Sequence, residues 1–253
     1  MKKILEICVD SLASARNAIA EGADRLELCS ALSVGGLTPY TALLRQIRKE
    51  SDIPIRCLMR PRPGDFLYTD AELEMLSEQI RELKCAGADG FVIGCLKPDG
   101  TLDKKAMGAL ISACGGSGLT LHRCIDVSCD LEQTYLDAGE LGIDTVLTSG
   151  GAPSCLAGEE NIRKLLELKK ASGGPEVLIG AGVKAAVIAH FLARLPEAAA
   201  FHMSGKRDIE SGMLFRREGI PMGVPGFDEW HIPETDPLAV RAARRVLDEG
   251  AQS

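Results

Sequence analysis

The chain has 253 residues, 45% hydrophobic and 26% charged, an ordinary composition for a globular protein. A formal net charge of −7 excludes the basic footprint of a nucleic-acid binder but not a small anionic ligand held at a locally positive site. No stretch is apolar for long enough to span a membrane, and Glu6 and Asp10 break the first apolar run too early for a secretory signal. Nine scattered cysteines without a C-x-x-C pair suggest neither a disulfide framework nor structural zinc, so the chain reads as a cytoplasmic protein.

In chain order, strands are expected near Ile4–Val9, Arg25–Cys29, Pro54–Arg60, Gly90–Leu96, Leu119–Cys124, Thr145–Ser149, Glu176–Gly180 and Ala199–Ser204, with helical patterns between them. Leu12, Ala15 and Ile19 share a helical face, as do Leu73, Leu76, Ile80 and Leu83. Thr38-Pro39 reads as an N-cap with proline at the first helical position, and Thr69 with Glu72 as a capping box. Asp236-Pro237 begins the last helix and Gly250 follows it.

One joint recurs. Gly22-Ala23-Asp24, Gly87-Ala88-Asp89 and Gly142-Ile143-Asp144 each stand between a helical pattern and an apolar strand, where a left-handed cap is needed. Alternating strands and helices imply a parallel sheet with right-handed crossovers. Eight units predict an α/β fold, a (β/α)8 TIM-type barrel forming a single domain over 1-253, with a long loop after strand eight and a C-terminal helix. A doubly wound open sheet fits less well, because Val9-Asp10-Ser11 lacks the G-x-G-x-x-G fingerprint. The connections Pro61–Thr69 and Arg207–Thr235 exceed what a barrel needs. The second, with Met213, Phe215, Met222, Phe227 and Trp230, reads as an oligomer interface or a site cover.

Strand alternation places Glu6 with Cys8, Glu27 with Cys29, Arg60 with Leu58 and Arg62, His122 with Thr120, Cys124 and Asp126, and His202 with Ser204. With those faces inward, Glu6, Glu27, Arg60, His122, Asp126 and His202 meet at the carboxyl end of the barrel, where sites form and acid–base chemistry near neutral pH is available. The structural alternative is a network in which Glu6 and Glu27 pair with Arg60. Arg123 faces outward toward an ion pair, and Arg62 fits either an ion pair or a substrate-binding role. Gly180-Ala181-Gly182, opening a helix after strand seven, and Ser204-Gly205-Lys206 after strand eight stand where barrels hold phosphate, although tight turns also need glycine there. Cys8 and Cys29 share the inward phase on adjacent strands, a geometry for copper(I) between two thiolates or for plain core packing.

Several segments resemble the copper homeostasis protein CutC family: Glu6–Ser11, GADRLELC at Gly22–Cys29, GGLTP at Gly35–Pro39, RPRPGDFLYTD at Arg60–Asp70, LTLHRCID at Leu119–Asp126, LTSG at Leu147–Gly150 and SGMLFR at Ser211–Arg216. The resemblance covers nearly the whole chain. It implies a barrel, a cytoplasmic homo-oligomer (dimer or tetramer), and copper(I) binding at two cysteines that match Cys8 and Cys29. Pro63 replaces a usual Gly, and Cys124-Ile125 a usual Ala-Phe. No established reaction comes with the resemblance. The competing expectation from the residues is an enzyme of lyase or isomerase type acting on a small phosphorylated or anionic substrate, with a carboxylate or His122 as base and Arg60 holding an oxyanion.

Overall fold

The computed structural model describes residues 3–217, 219–220, 222 and 228–250. Eight parallel strands close into a barrel: β1 (Ile4–Val9), β2 (Arg25–Leu28), β3 (Ile55–Leu58), β4 (Gly90–Ile93), β5 (Gly118–Leu121), β6 (Thr145–Thr148), β7 (Glu176–Ile179) and β8 (Ala200–Met203), with β8 pairing back onto β1. Helices α1 (Leu12–Ala20), α2 (Thr41–Arg48), α3 (Asp70–Cys85), α4 (Lys104–Cys114), α5 (Leu131–Glu140), α6 (Glu159–Ser172) and α7 (Ala185–Arg194) alternate with them, and α8 (Pro237–Glu249) follows. No helix among the described residues is long and apolar enough to cross a membrane.

The strands stop earlier than the apolar runs suggest, because the polar residues at their carboxyl ends bond to loops. Arg60 lies beyond β3, where its N–H donates to Thr38 Oγ1 at 3.0 Å and its carbonyl accepts from the Thr38 hydroxyl at 3.1 Å. Thr38 is thereby used as a loop clamp, and the N-cap of α2 moves from Thr38 to Tyr40. The capping box of Thr69 and Glu72 and the Asp236 cap of α8 are present as expected.

The repeated Gly-x-Asp joint has a common geometry. Gly22, Gly87 and Gly142 all have left-handed backbones, at φ 90, 105 and 77°. The next N–H reaches back across the helix end in each case, from Ala23 to Ala18, Ala88 to Leu83 and Ile143 to Ala138, which is the Schellman closure. Each aspartate then grips the preceding strand twice. Its N–H donates to the carbonyl of Leu5, Ile55 or Leu119, while its carboxylate accepts the N–H of that same residue. An arginine neutralises each carboxylate: Arg244 at Asp24, Arg48 at Asp89 and Arg56 at Asp144. The repeat is thus a charged clasp at the amino-terminal end of the barrel. Asp144→Ala leaves the Arg56 guanidinium, a 12% exposed side chain, with only the neutral Thr120 and Thr145 hydroxyls, and the Leu119 N–H without its acceptor. It should cost about 2–4 kcal/mol in urea unfolding. A loss near that of breaking the exposed pair Arg245–Glu249, below about 0.5 kcal/mol, would show the clasp to be incidental.

Strand residues of one phase, among them Leu5, Ile7, Leu26, Leu28, Phe91, Val146 and Phe201, form the main core with helix residues such as Ala15, Leu76, Leu110 and Phe191. The other phase points into the barrel, where apolar filling is sparse. Cys8, Cys29, Leu58 and Val92 form one small cluster, and Leu147, Leu178 and Ala200 another. Polar side chains complete the interior. The connection after β8 carries two strands of its own: β9 (Lys206–Glu210) and β10 (His231–Thr235) form an antiparallel ribbon. The ribbon is tied to α1, since Thr235 N–H donates to Ser14 Oγ at 3.1 Å and Asn17 donates to Glu234 and to the Thr235 carbonyl. Phe227 lies outside the described residues.

Candidate functional site

Strand register assembles the first group. Glu6 stands beside Arg25 on one side and His202 on the other, and Cys8 stands beside Glu27. Glu6, 1% exposed, accepts from Arg25 Nε and from His202 Nδ1, the latter at 2.8 Å. The far nitrogen of the same imidazole, Nε2, lies 3.7 Å from Glu27 Oε2. The Cys29 thiol is directed at that carboxylate, Sγ to Oε2 being 3.5 Å. Ligand atoms of Cys8, Glu27 and His202 all lie within 4.8 Å of one another. Cys29, buried behind Glu27, is outside that trio.

The two carboxylates are driven apart. Burial works to raise Glu6, but the Arg25 charge and the His202 hydrogen bond outweigh it and hold the acid at about 2. Burial dominates at Glu27 and raises it. Burial also opposes a charge on His202, yet the facing Cys8 and Glu27, with the bond to Glu6, lift it well above the usual imidazole range. Burial first, then the Glu27 charge, pushes the Cys29 thiol far up, so it is a protonated donor. The arrangement is an ionised Glu6, an imidazolium and a weaker acid in a row, with a sulfur at each side. Separated acid strengths of this kind are a means of moving protons.

Arg60 and His122 belong to a second group. The alternative network, with Arg60 paired to Glu6 and Glu27, does not form, because β1–β2 register gives Glu6 the nearer Arg25 and the Arg60 side chain turns into loops. Its guanidinium donates to the carbonyls of Val34, Gly36 and Gly64 at 3.1, 3.1 and 2.9 Å and lies over the Phe66 ring, 5.2 Å from its centroid. His122 is 4% exposed, and its Nδ1 accepts the Cys124 N–H at 3.2 Å. Burial and then the Arg60 charge lower it to about 3, so the ring is neutral. An added Cβ on Gly94 would sit 2.4 Å from His122 Cε1, which is why glycine stands there.

Asp126 is not part of an inward row with His122. The chain leaves β5 in a tight 3-10 turn over Arg123–Val127, and strand alternation ends there. The Asp126 carboxylate instead holds the loop after β6, accepting from Thr148 Oγ1 at 2.5 Å, from the N–H groups of Ser149 and Gly151 at 3.0 Å, and from Arg123 Nε at 2.7 Å. The same turn puts Cys124 in the main core, with its Sγ still close to the His122 ring: a Cβ on Gly94 would lie 2.5 Å from that sulfur and 2.4 Å from His122 Cε1. Arg123 forms its ion pair, but with Asp126. Arg62 is bound to Asp65 and Glu72 on the outer side of its loop, and it does not line the cavity.

A cavity of about 860 Å³ at the carboxyl end of the barrel joins both groups. Cys8, Glu27 and His202 line it, as do Arg60, Phe66, His122 and an edge of Asp126. Gly182, Ser204 and Lys206 also line it, together with Ala181 and Val183. Gly180 does not: its N–H donates to Thr148 and a Cβ there would lie 2.6 Å from Leu147, so packing accounts for it. Helix α7 begins at Ala185, three residues later than Gly182 would place it. The ribbon residues Ile232–Thr235 wall one side, in line with the site-cover reading of the long connection. Arg25 was legible in principle, since Arg25, Glu27 and Cys29 alternate on one face.

The CutC family model matches residues 3–206. The copper homeostasis protein cutC homolog of Homo sapiens is 38% identical over 244 residues, covering 96% of this chain and 88% of the human protein. A family protein CutC of Vibrio campbellii is 37% identical over 242 residues, covering 95% and 97%. A solved CutC structure from Streptococcus agalactiae superimposes with a TM-score of 0.74 at 26% identity, covering 80% of this chain and 98% of that one.

Proposed function

Because this chain belongs to the CutC family, we propose that it acts in copper homeostasis and takes up copper(I) as cargo at the mouth of its barrel. The observation that carries the reading is the convergence of Cys8, Glu27 and His202 within 4.8 Å. Thiolate and imidazole are donors that soft copper(I) favours, whereas a carboxylate alone would suit a harder ion. Glu6 supports the imidazole from behind: with Nδ1–H held by its carboxylate, Nε2 is the nitrogen left to bind metal. Cys29, beside Glu27, supplies the second thiol once its proton is displaced.

Titration of the reduced protein with copper(I) against a colorimetric chelator tests this. Tight binding is expected in the wild type and is lost when Cys8 and Cys29 are both changed to Ser. Tight binding that survives in the double variant would remove the thiols from the site. The reading carries with it a cytoplasmic location and a homo-oligomer, for which the exposed Leu214 and Phe215 of the long connection offer apolar surface.

A second reading rests on the cavity, whose roughly 860 Å³ exceeds what one metal ion needs. With Glu6 and Glu27 held at opposite acid strengths, the same ring suits proton transfer on a small anionic substrate, in a reaction of lyase or isomerase type.

A further inference from the structure

Arg60 carries a full positive charge at 9% exposure, and among the described residues no acidic side chain pairs with it. All three of its side-chain bonds go to neutral carbonyls, and its Nε has no partner. The acids nearest in function are committed elsewhere: Glu6 to Arg25 and His202, Asp126 to its loop. Burying an unpaired guanidinium costs several kcal/mol, a cost that a bound counter-anion would offset.

His122 has the matching deficit. Its Nδ1 is an acceptor for the Cys124 N–H, so the ring proton of the neutral imidazole is on Nε2. That Nε2–H is buried and has no acceptor. Two buried donors therefore lack acceptors, one of them charged, and both side chains line the same cavity. The Phe66 ring lies against both, 4.7 Å from the His122 ring centroid and 5.2 Å from Arg60 Cζ. Glycine at 35, 36 and 94 lets the backbone close in around them, since a Cβ at each would come within 3.1 Å of Arg60, Leu58 or His122.

We infer that Arg60 and His122 form an oxyanion subsite, closed over by Phe66, that holds the carboxylate or phosphate group of a small organic ligand in the barrel cavity. Entry displaces the Phe66 ring. Arg60 supplies the charge and His122 a neutral directional donor, so the pair distinguishes an oxyanion from a halide by geometry as well as by sign. The remainder of the ligand then extends within the cavity that Cys8, Glu27 and His202 also line. The subsite requires neither copper nor turnover.

The test uses copper-free protein labelled with ¹⁵N-histidine, whose four imidazoles are few enough to resolve. Inorganic phosphate and succinate are titrated separately to about 10 mM, enough to saturate a site of millimolar affinity. The His122 Nε2 resonance and the thermal midpoint are followed together. A saturable shift of that resonance with a rising midpoint is expected for one of the anions. Response to phosphate alone identifies a phosphoryl ligand, and response to succinate alone a carboxylate. Arg60→Met should weaken the effect at least about tenfold. No saturable change at His122 with either anion would overturn the subsite, as would undiminished binding in Arg60→Met. If that variant does not fold, the wild-type His122 resonance decides alone.

Discussion

Replacing Glu6 by Gln should destabilise the barrel by about 3–5 kcal/mol at neutral pH, the usual cost of removing one partner from a buried charge pair. Glu6 is the only acid bonded to the Arg25 guanidinium and to His202 Nδ1 among the described residues, and it is 1% exposed. Its carboxyl is held at about 2 against a usual 4.5, which alone corresponds to about 3 kcal/mol. A depressed acid contributes stability that is present above its unfolded value and is lost as pH falls through its folded one. The deficit of the variant should therefore be full above about 4.5 and should close toward about 2. His202 works on the other side. Its raised value gives stability that is present below about 6.5 and is lost as pH rises through the folded value. Glu27, also raised, adds a cost as pH climbs above 4.5. Urea unfolding from about pH 3 to about pH 8 checks the shape. A deficit that stays constant as pH falls would mean that Glu6 is not the paired charge at the centre of the ring.

The barrel was legible because two local signals agree. Gly22, Gly87 and Gly142 mark helix ends that need a left-handed residue, and the aspartate two positions later marks the clasp on the preceding strand. Phase alternation also placed Glu6, Cys8, Glu27, Cys29 and His202 on the interior face, since β1, β2 and β8 are regular up to those residues. It failed where strands end. Asp126 follows His122 at even spacing, but the 3-10 turn commits its carboxylate to the loop after β6, and no pattern of period two carries that information. The alternative network around Arg60 fails for a different reason. Which cation reaches Glu6 depends on the register of β1 against β2, a non-local quantity that pairs Glu6 with Arg25. A cover from this connection was expected, but its strands were hidden because β9 and β10 are largely exposed and polar, so neither shows the apolar alternation of a strand.

If copper(I) binds as proposed, the two cysteines should not contribute equally, although both have the inward phase. Cys8 belongs to the trio with Glu27 and His202, while Cys29 is a thiol held by a carboxylate that must release it first. Cys8→Ser should weaken copper(I) binding by roughly 100-fold or more, because loss of a direct ligand costs at least as much as loss of an outer partner. Cys29→Ser should cost less, on the order of tenfold, since Cys29 must give up a proton lifted by burial and by Glu27 before it can contribute. Proton competition also fixes the sign of the pH dependence. Metal must displace the proton of the raised His202 as well as thiol protons, so affinity rises with pH and keeps rising above the ordinary imidazole range. His202→Gln should flatten that rise while leaving the two-thiol contribution in place. Chelator competition on the single variants at several pH values separates these effects. Equal losses from Cys8→Ser and Cys29→Ser, with no change of slope in His202→Gln, would point to a linear two-thiolate ion that ignores the imidazole. The Glu6–His202 pair would then serve the fold or the cavity rather than the metal.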